Sequence, residues 1–367
     1  MTLAPASGLD GEELDALRDT VRAACADAGG TAAVRRLGEG PGYDETLWHL
    51  LSREIGLGGL GLPRGDGGLA EVAVVCEELG RVLAPVPFLG STVLAGQVLA
   101  QCGPAAEAAV AAVIAGEVYA LAVADADGVW RPERLAVTAH RTPEGWVLSG
   151  ASPFVVDGGA ATTFVVAAVT GDGVDVFTVP ATDPGVHVLA TMCLDLGRPQ
   201  AMVRFTGAVG SPLTADGAGV AAVTAGLDRA LVALSAEQLG GAQACLDMTV
   251  VYAAQRTQFG RAIGSFQAVK HRCADMLLRV ETARSAVLRA VAAEDDPTAL
   301  AEAAAVAQIW CGEAFTWIAE ETVQLHGGTG FTWEHDAHLY FRRAVADAAL
   351  FGGASHHRER LAQLLGW

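Results

Sequence analysis

The chain has 367 residues, more than one ordinary hydrophobic core accommodates, so we expect two or three packed units. Apolar residues make up 51% of it and aromatic residues only 6%, a composition typical of a soluble protein built from closely packed helices. The formal net charge of −18 argues against nucleic acid or an anionic membrane surface as a partner.

The seven cysteines are widely scattered and show no Cys-x-x-Cys spacing, so the sequence predicts neither a metal centre nor a disulfide framework. We expect small buried thiols in a protein of the reducing cytoplasm. Residues 1–10 lack the basic and apolar regions of a signal peptide. The most apolar helical stretch, residues 217–238, is interrupted by Asp228 and Arg229, so we expect no membrane span.

Helical patterns occupy the first part of the chain, where we predict an N-terminal helical domain over residues 1–116. Apolar residues recur three and four positions apart over residues 43–55 and 69–82. The segment from Gly56 to Gly61 matches the glycine spacing of dinucleotide-binding loops. Because a helical pattern and not a strand precedes this segment, we expect a plain loop there.

Short β-branched runs replace the helical period from about Tyr119 onward. Glycine and aspartate residues punctuate these runs at the spacing of a compact β-barrel or sandwich. We therefore predict a middle β domain over residues 117–211, with strands that include residues 119–123, 135–137, 146–148, 163–166 and 174–179.

Long helical patterns return after Pro212. Each of the first three is long enough for an arm of a helical hairpin, and Pro297 marks one of the turns. We therefore predict a C-terminal helical bundle over residues 212–367, with helices over residues 218–252, 263–293, 298–325 and 355–365.

The run R-T-Q-F-G, residues 256–260, lies at the end of the first of these long helical patterns. It places a permanent cation, an amide and an aromatic ring side by side, and Gln267 supplies a second amide one turn into the next helix. A simple connection between two helices, with Gly260 at the break and Arg256 in solvent, explains the same letters. The combination of a guanidinium with amides and a ring favours a ligand that carries phosphate.

A second run, Q-L-H-G-G-T-G-F, occupies residues 324–331 at the end of the third long pattern. A helix C-cap explains one glycine in such a position. Two adjacent glycines, Gly327 and Gly328, a third at Gly330, and the amide of Gln324 one turn upstream exceed what a cap requires. Bare glycine N–H groups let a backbone approach a pyrophosphate closely.

The order of helices, strands and helices, together with these two runs, resembles the acyl-CoA dehydrogenase family over nearly the whole chain. The resemblance implies an α+β multidomain fold with an N-terminal helical domain, a middle β-barrel or sandwich and a C-terminal four-helix bundle. It also implies that Arg256, Gln258, Phe259 and Gln267 line a bound FAD.

In the resembling family, the loop that matches Gln324, Gly327 and Gly328 reaches across a subunit boundary to the diphosphate of a neighbour's flavin. The flavin diphosphate is thus held between this loop and the Arg256 run of the other subunit. The resemblance therefore implies a homo- or hetero-oligomer, either a dimer or a tetramer, with no complete FAD site in a single chain.

A strand of the predicted β domain matches the family strand that faces the flavin ring system. Phe154 fits the position of the aromatic residue that packs on the isoalloxazine. Val156 stands where the family has a threonine or serine hydroxyl bonded to flavin N5, and a valine side chain forms no hydrogen bond. The resemblance therefore places both residues at the cofactor, with one departure that concerns flavin reactivity.

The family needs a glutamate to remove the α-proton of its substrate, and no carboxylate stands at either of its usual positions here. The C-terminal position falls within residues 350–355, and the alternative position, on the first helix of the bundle, is Ala230. Asp228 lies two residues early, and Glu237 lies two turns beyond Ala230 on nearly the same face. Both are weak candidates for the base, and a solvent-facing or helix-packing role is the better default.

The resemblance implies α,β-dehydrogenation of an acyl-CoA or a carrier-bound acyl thioester, with an electron-transfer flavoprotein or a similar protein as acceptor. The chain is most similar to bacterial members from catabolic operons, some of which act on steroid side-chain thioesters. Some of those are heterotetramers in which one chain has lost the glutamate. Two hypotheses stay open: a dehydrogenase with an unconventional base, or a base-lacking subunit that completes a partner's flavin site.

Overall fold

The computed structural model describes residues 11–37 and 42–367, so the start of the predicted N-terminal domain lies outside the described residues. Helices, a β-sheet and helices follow one another along the chain. This is the predicted α+β architecture, and the prediction is confirmed. Helix gives way to strand between Ile114 and Tyr119, and the last strand of the large sheet ends at Pro212 before a helix begins at Gly219.

Six α-helices form the described part of the N-terminal unit, and π-helical turns over Leu50–Glu54 and Phe88–Ala95 join them. The segment from Gly56 to Gly61 contains a short 3₁₀ turn, and a Cβ atom on Gly58 would lie only 2.9 Å from the carbonyl oxygen of Ile114. Gly58 therefore serves close packing, and no strand precedes the segment, which agrees with the predicted loop. The helices are α1 Gly11–Asp27, α2 Ala32–Arg36, α3 Glu45–His49, α4 Leu69–Arg81, α5 Gly96–Gln101 and α6 Glu107–Ile114.

Seven strands form one sheet in the order β1-β4-β2-β3-β7-β5, with β6 paired to β7. Since β5 pairs with both β4 and β7, the sheet closes on itself as a barrel. Aromatic rings fill its interior, where Phe164 and Phe205 meet edge to face at 6.3 Å. The strands are β1 Tyr119–Ala122, β2 Thr138–Thr142, β3 Gly145–Val156, β4 Thr163–Thr170, β5 Gly173–Pro180, β6 Val186–Ala190 and β7 Gln200–Pro212.

The C-terminal unit is a bundle of long helices. Four of them correspond to predicted helices, and α10 was not predicted. Its inward face carries the charged residues Arg343 and Asp347, which interrupt the apolar period that identifies a helix in a sequence. The helices are α7 Gly219–Gln255, α8 Gln267–Val291, α9 Pro297–His326, α10 Ala337–Ala349 and α11 Ala354–Leu364.

Helix α7 is the central element of the whole chain. By length and composition alone it is apolar enough to cross a membrane, but 72% of its most apolar stretch is buried inside the protein. It packs against α4 almost backbone to backbone. A Cβ atom on Gly240 would overlap with the carbonyl oxygen of Glu77, and one on Gly80 would overlap with that of Glu237. Only glycine permits this crossing.

Candidate functional site

The R-T-Q-F-G run forms a tight hairpin at the end of α7. Strands β8, Thr257–Gln258, and β9, Arg261–Ala262, pair across it. Phe259 and Gly260 occupy the turn with φ angles of 53° and 75°, the left-handed conformation that a two-residue hairpin of this kind requires. The glycine at position 260 is therefore explained by the turn alone.

The side chains of this hairpin face solvent. Arg256, Gln258 and Gln267 are exposed, and Phe259 is 92% exposed. Within the described residues, no carboxylate lies at ion-pair distance from Arg256, although most arginines of the chain are paired. An unpaired guanidinium beside an exposed ring and two amides is suited to an anionic, planar ligand.

The glycine run lies at the end of α9. Gly327 has a φ of 59°, and a Cβ atom on Gly330 would approach the carbonyl oxygen of Val323 to 3.0 Å. Gly328 has neither constraint, and a Cβ atom there would meet nothing within 4 Å. The backbone at Gly328 therefore borders open space, with the exposed amide of Gln324 one turn away.

The two runs lie side by side at one end of one chain. The ring of Tyr252, one turn before Arg256, stacks on that of His326 with 4.2 Å between centroids. The Tyr252 hydroxyl also donates to the His326 carbonyl, at 3.4 Å. The resemblance suggested that the runs meet only between subunits. The structure instead makes them parts of one surface, here called the diphosphate surface: Arg256, Gln258, Gln267, Gln324, Gly327 and Gly328.

Phe154 and Val156 lie in a different region, near the end of β3. Phe154 is 40% exposed, has a φ of 55°, and packs beside Gly128. Val156 is 2% exposed, so its side chain is part of the core. Two residues beyond Gly128, Trp130 begins the lining of a cavity.

This cavity has a volume of about 410 Å³ and lies between α7 and α11. The side of the cavity formed by the β unit includes Trp130, whose indole N–H donates to the Thr224 hydroxyl at 3.0 Å. Nothing in the sequence pattern marked Trp130 or its neighbour Arg131 as site residues. Besides these two, its lining includes Leu227, Asp228, Leu231, Phe351, His356 and Arg360.

The cavity and the diphosphate surface are at opposite ends of α7. Asp228 borders the cavity, and Arg256 follows 28 residues later along the helix, which corresponds to about 40 Å. Because one FAD molecule is shorter than this distance, a flavin ring at the cavity and a diphosphate on Arg256 would belong to different chains or to different cofactors.

Asp228 is the weak base candidate that the structure places at the cavity. Its carboxylate is 6% exposed and pairs with the guanidinium of Arg360 on α11. Burial raises the pKa of Asp228, and Arg360 opposes that rise. Ala230 is buried in the core at 1% exposure, and the turn around Phe351 contributes no carboxylate.

Glu237, the other weak candidate, lies away from the cavity in a buried ion cluster. Its carboxylate accepts from Arg343 on α10 at 2.6 Å and from Arg198 in the connection between β6 and β7. Asp347 and Asp195 complete the cluster by pairing with these two arginines. The cluster ties the β unit to the bundle, so the helix-packing interpretation of Glu237 is the one that its contacts favour.

Comparisons with known proteins match both terminal units of the chain to acyl-CoA dehydrogenases. The sequence profile of the acyl-CoA dehydrogenase N-terminal domain matches residues 11–111, and that of the C-terminal domain matches residues 217–366. Acyl-CoA dehydrogenase IpdE2 of Mycobacterium tuberculosis is 37% identical over 92% of this chain and 93% of its own length.

Solved structures with the same fold cover nearly the whole chain. A chain of the ChsE4–ChsE5 complex from Mycobacterium tuberculosis superposes with a TM-score of 0.87 at 31% identity, over 98% of each chain. A variant of the Tcur3481–Tcur3483 steroid ACAD matches with a TM-score of 0.87 at 31% identity, over 97% of this chain and 98% of that one.

Proposed function

The chain belongs to the acyl-CoA dehydrogenase family, and we propose that it is the base-lacking subunit of a two-chain enzyme of this family. In this proposal, its diphosphate surface holds the FAD of a homologous partner chain, and the partner supplies the catalytic base. The enzyme removes hydrogens from the α and β carbons of an acyl thioester.

The observation that carries the proposal is the exposed Arg256, which has no ion-pair partner among the described residues, on the same surface as the open backbone of Gly328. A guanidinium and free N–H groups are the donors that a diphosphate accepts. These residues therefore fit the pyrophosphate of FAD, which supplies the hydride acceptor of the reaction when bound. Arg256 and the amides of Gln258 and Gln324 would fix its position.

The chain's own cavity supports the non-catalytic half of the proposal. A base must lie within hydrogen-bond reach of the proton that it removes. The only α7 carboxylate at the cavity, Asp228, is held by Arg360, and Glu237 is held in the ion cluster. Val156 offers no hydroxyl where the family bonds flavin N5. The other carboxylates that line the cavity, Glu133 and Glu359, lie at neither of the family's usual base positions. These features support a chain that lacks the reacting half of a flavin site.

An apolar rim around the diphosphate surface supports a protein partner. Val250, Val251, Phe331 and Trp333 are 47–76% exposed on the elements that carry the two runs. Large exposed side chains of this kind are typical of surfaces that another protein covers. The ChsE4–ChsE5 complex is a precedent for two different chains of this fold in one assembly.

The substrate class follows from the family and its relatives. Acyl-CoA thioesters, or acyl groups on a protein carrier, are the expected substrates, and the steroid ACAD match favours a thioester with a steroid-derived acyl group. An electron-transfer flavoprotein or a similar protein is the expected redox partner. The reducing cytoplasm is the proposed compartment.

A self-sufficient dehydrogenase is the second candidate. The observation in its favour is that Asp228 borders the cavity with a raised pKa, a property of many general bases. Loss of the Arg360 contact would free this carboxylate. In that case, homogeneous chain would oxidise substrate without a partner.

The test is to produce the chain alone and together with a homologous chain from the same genome that carries glutamate at one of the two usual positions. Turnover of a panel of acyl-CoAs is then measured for each preparation. We expect turnover only with both chains present. The partner alone, and the pair with the partner's glutamate changed to glutamine, are the controls. Turnover by this chain alone would overturn the proposal.

A further inference from the structure

Helix α2 of the N-terminal unit contacts the loop that carries the glycine run. Arg35 pairs with the carboxylate of Asp336, with 2.5 Å between Nη1 and Oδ1, and its Nε donates to the Trp333 carbonyl at 3.0 Å. The Thr31 hydroxyl donates to the other oxygen of Asp336 at 2.7 Å. Three bonds from α2 and the residue that precedes it thus converge on the four residues that end this loop.

Asp336 is where the glycine loop returns to regular structure. Its carbonyl accepts from the Leu339 N–H at 2.8 Å and so begins α10. At the other end of the loop, His326 is held between Tyr252 and His335, with 4.5 Å between the two histidine rings. The segment from Gly327 to His335 is therefore fixed by a ring stack at one end and by α2 at the other.

We propose that Arg35 is a positioning residue for flavin binding. It touches no part of the diphosphate surface itself, and it acts by holding the loop so that the N–H groups of Gly327 and Gly328 stay at a fixed spacing from Arg256. This inference rests on the proposed function, since it assigns a second group of residues to the same diphosphate site.

The physical basis is the conformational entropy of a glycine-rich loop. Ordering the backbone of a residue costs conformational entropy, and glycine loses the most freedom. A loop that Arg35 already orders does not incur this cost again when the diphosphate binds. Without Arg35, part of the entropy cost of ordering the loop arises when the diphosphate binds. We therefore expect FAD affinity to fall about tenfold.

The test compares Arg35→Ala with Arg36→Ala. Arg36 carries the same charge one residue later, but its guanidinium bonds the Ala28 carbonyl and lies 3.8 Å from Asp44, away from the glycine loop. FAD affinity is measured by flavin fluorescence on the two-chain complex, and affinity for ADP on this chain alone. Hydrogen exchange of residues 327–334 reports loop order, and thermal unfolding reports stability.

We expect Arg35→Ala to weaken FAD and ADP binding about tenfold and to speed exchange in the loop, with Arg36→Ala unchanged. The charge-reversed pair Arg35→Asp with Asp336→Arg should recover most of the affinity, which general destabilisation would not allow. Faster loop exchange with unchanged affinity would overturn the inference alone. Absence of FAD and ADP binding by the wild-type protein would overturn the proposed function together with it.

Discussion

Tyr252 stacks on His326 with their planes 30° apart, and this contact joins the two runs that the sequence singled out. The Nδ1 atom of His326 lies 2.7 Å from the Thr322 carbonyl, and burial lowers the pKa of its ring. The stack therefore joins α7 to α9 through a buried histidine ring and a half-buried tyrosine ring. It makes the guanidinium of Arg256 and the glycine loop one rigid surface.

Arg256→Gln should weaken FAD binding to the two-chain complex by roughly 10- to 100-fold, because a charge-assisted hydrogen bond contributes about 1.5–3 kcal/mol. The unfolding midpoint should not change, since Arg256 has no ion-pair partner within the described part of the chain. Flavin fluorescence titration measures the affinity. Arg289→Gln, an exposed arginine at the far end of α8, is the matched control and should bind FAD normally.

Gly328→Ala and Gly327→Ala should distinguish an effect on FAD binding from an effect on the stability of the fold. A methyl group at Gly328 has open space and no positive φ, so stability should stay unchanged while FAD binding weakens. Gly327 has a φ of 59° and a ψ of −141°, so alanine there should also destabilise the fold by roughly 1–3 kcal/mol. Denaturant unfolding and flavin titration on both variants test this. Normal FAD binding by Gly328→Ala would show that no ligand approaches that backbone.

Gly240→Ala should destabilise the protein by about 2–3 kcal/mol, because a methyl group would overlap with the backbone of Glu77 where α4 crosses α7. Gly312→Ala on α9 is the control. Its Cβ atom would meet neighbours only at 3.9 Å or more, so helix propensity should stabilise that variant by up to about 1 kcal/mol. Equal stability of the two variants would contradict the close crossing.

Asp157→Asn should flatten the pH dependence of stability. Burial raises the pKa of Asp157 to about 7, and Arg198 and Arg343 oppose that rise. Between about pH 4 and pH 7 the unfolded chain releases this proton while the folded chain retains it, so wild-type stability falls as pH rises through that window. The variant carries no charge there, and at pH 8 it should be more stable than wild type by roughly 1–3 kcal/mol.

Thermal unfolding of wild type and Asp157→Asn from pH 4 to pH 8 measures this effect. The two should nearly coincide at pH 4 and diverge steadily toward pH 7. Asparagine tolerates the left-handed backbone at this position, where φ is 56°. A constant difference at all pH values would mean that the carboxyl titrates normally in the folded protein.

Asp228→Asn should leave turnover of the two-chain complex within about twofold of wild type, because in the proposed enzyme the partner supplies the base. Loss of a true general base lowers turnover by roughly 10²–10⁴. Arg360→Gln breaks the same ion pair but keeps the carboxylate, so it controls for loosening of α11. A fall of the larger size in Asp228→Asn alone would assign the base to this chain.

The sequence predicted the long helices and both runs because apolar periodicity and glycine spacing are local properties. Helix α10 was not predicted, because Arg343 and Asp347 point inward. Their ion-pair partners lie in the connection between β6 and β7 and on α7, far away in the sequence. Strand β6 was not predicted either, because its side chains are mostly exposed and show no regular alternation of apolar and polar residues. Residues 135–137 were predicted as a strand, but strand structure begins only at Thr138, because Leu135 ends a 3₁₀ turn.

The site was predictable only in part. The sequence identified Arg256 and Gly328 as candidate ligands of a diphosphate. That both lie on one surface of one chain depends on how α7 packs against α9. The role of Glu237 also depends on tertiary structure, since Arg198 lies 39 residues earlier in the sequence. Trp130 and Arg360 meet at the cavity from the β unit and α11, and no sequence spacing connects them.

The number of FAD molecules per pair of chains is the sharpest test of a flavin site shared between two different chains. The complex of this chain with its glutamate-bearing homologue is purified, denatured, and assayed for released FAD against the amount of each chain. We expect one FAD per pair, since in the proposed enzyme only the partner has a reacting half-site and this chain supplies the diphosphate surface. Two FAD per pair, or a yellow homogeneous preparation of this chain that acyl-CoA bleaches, would contradict it.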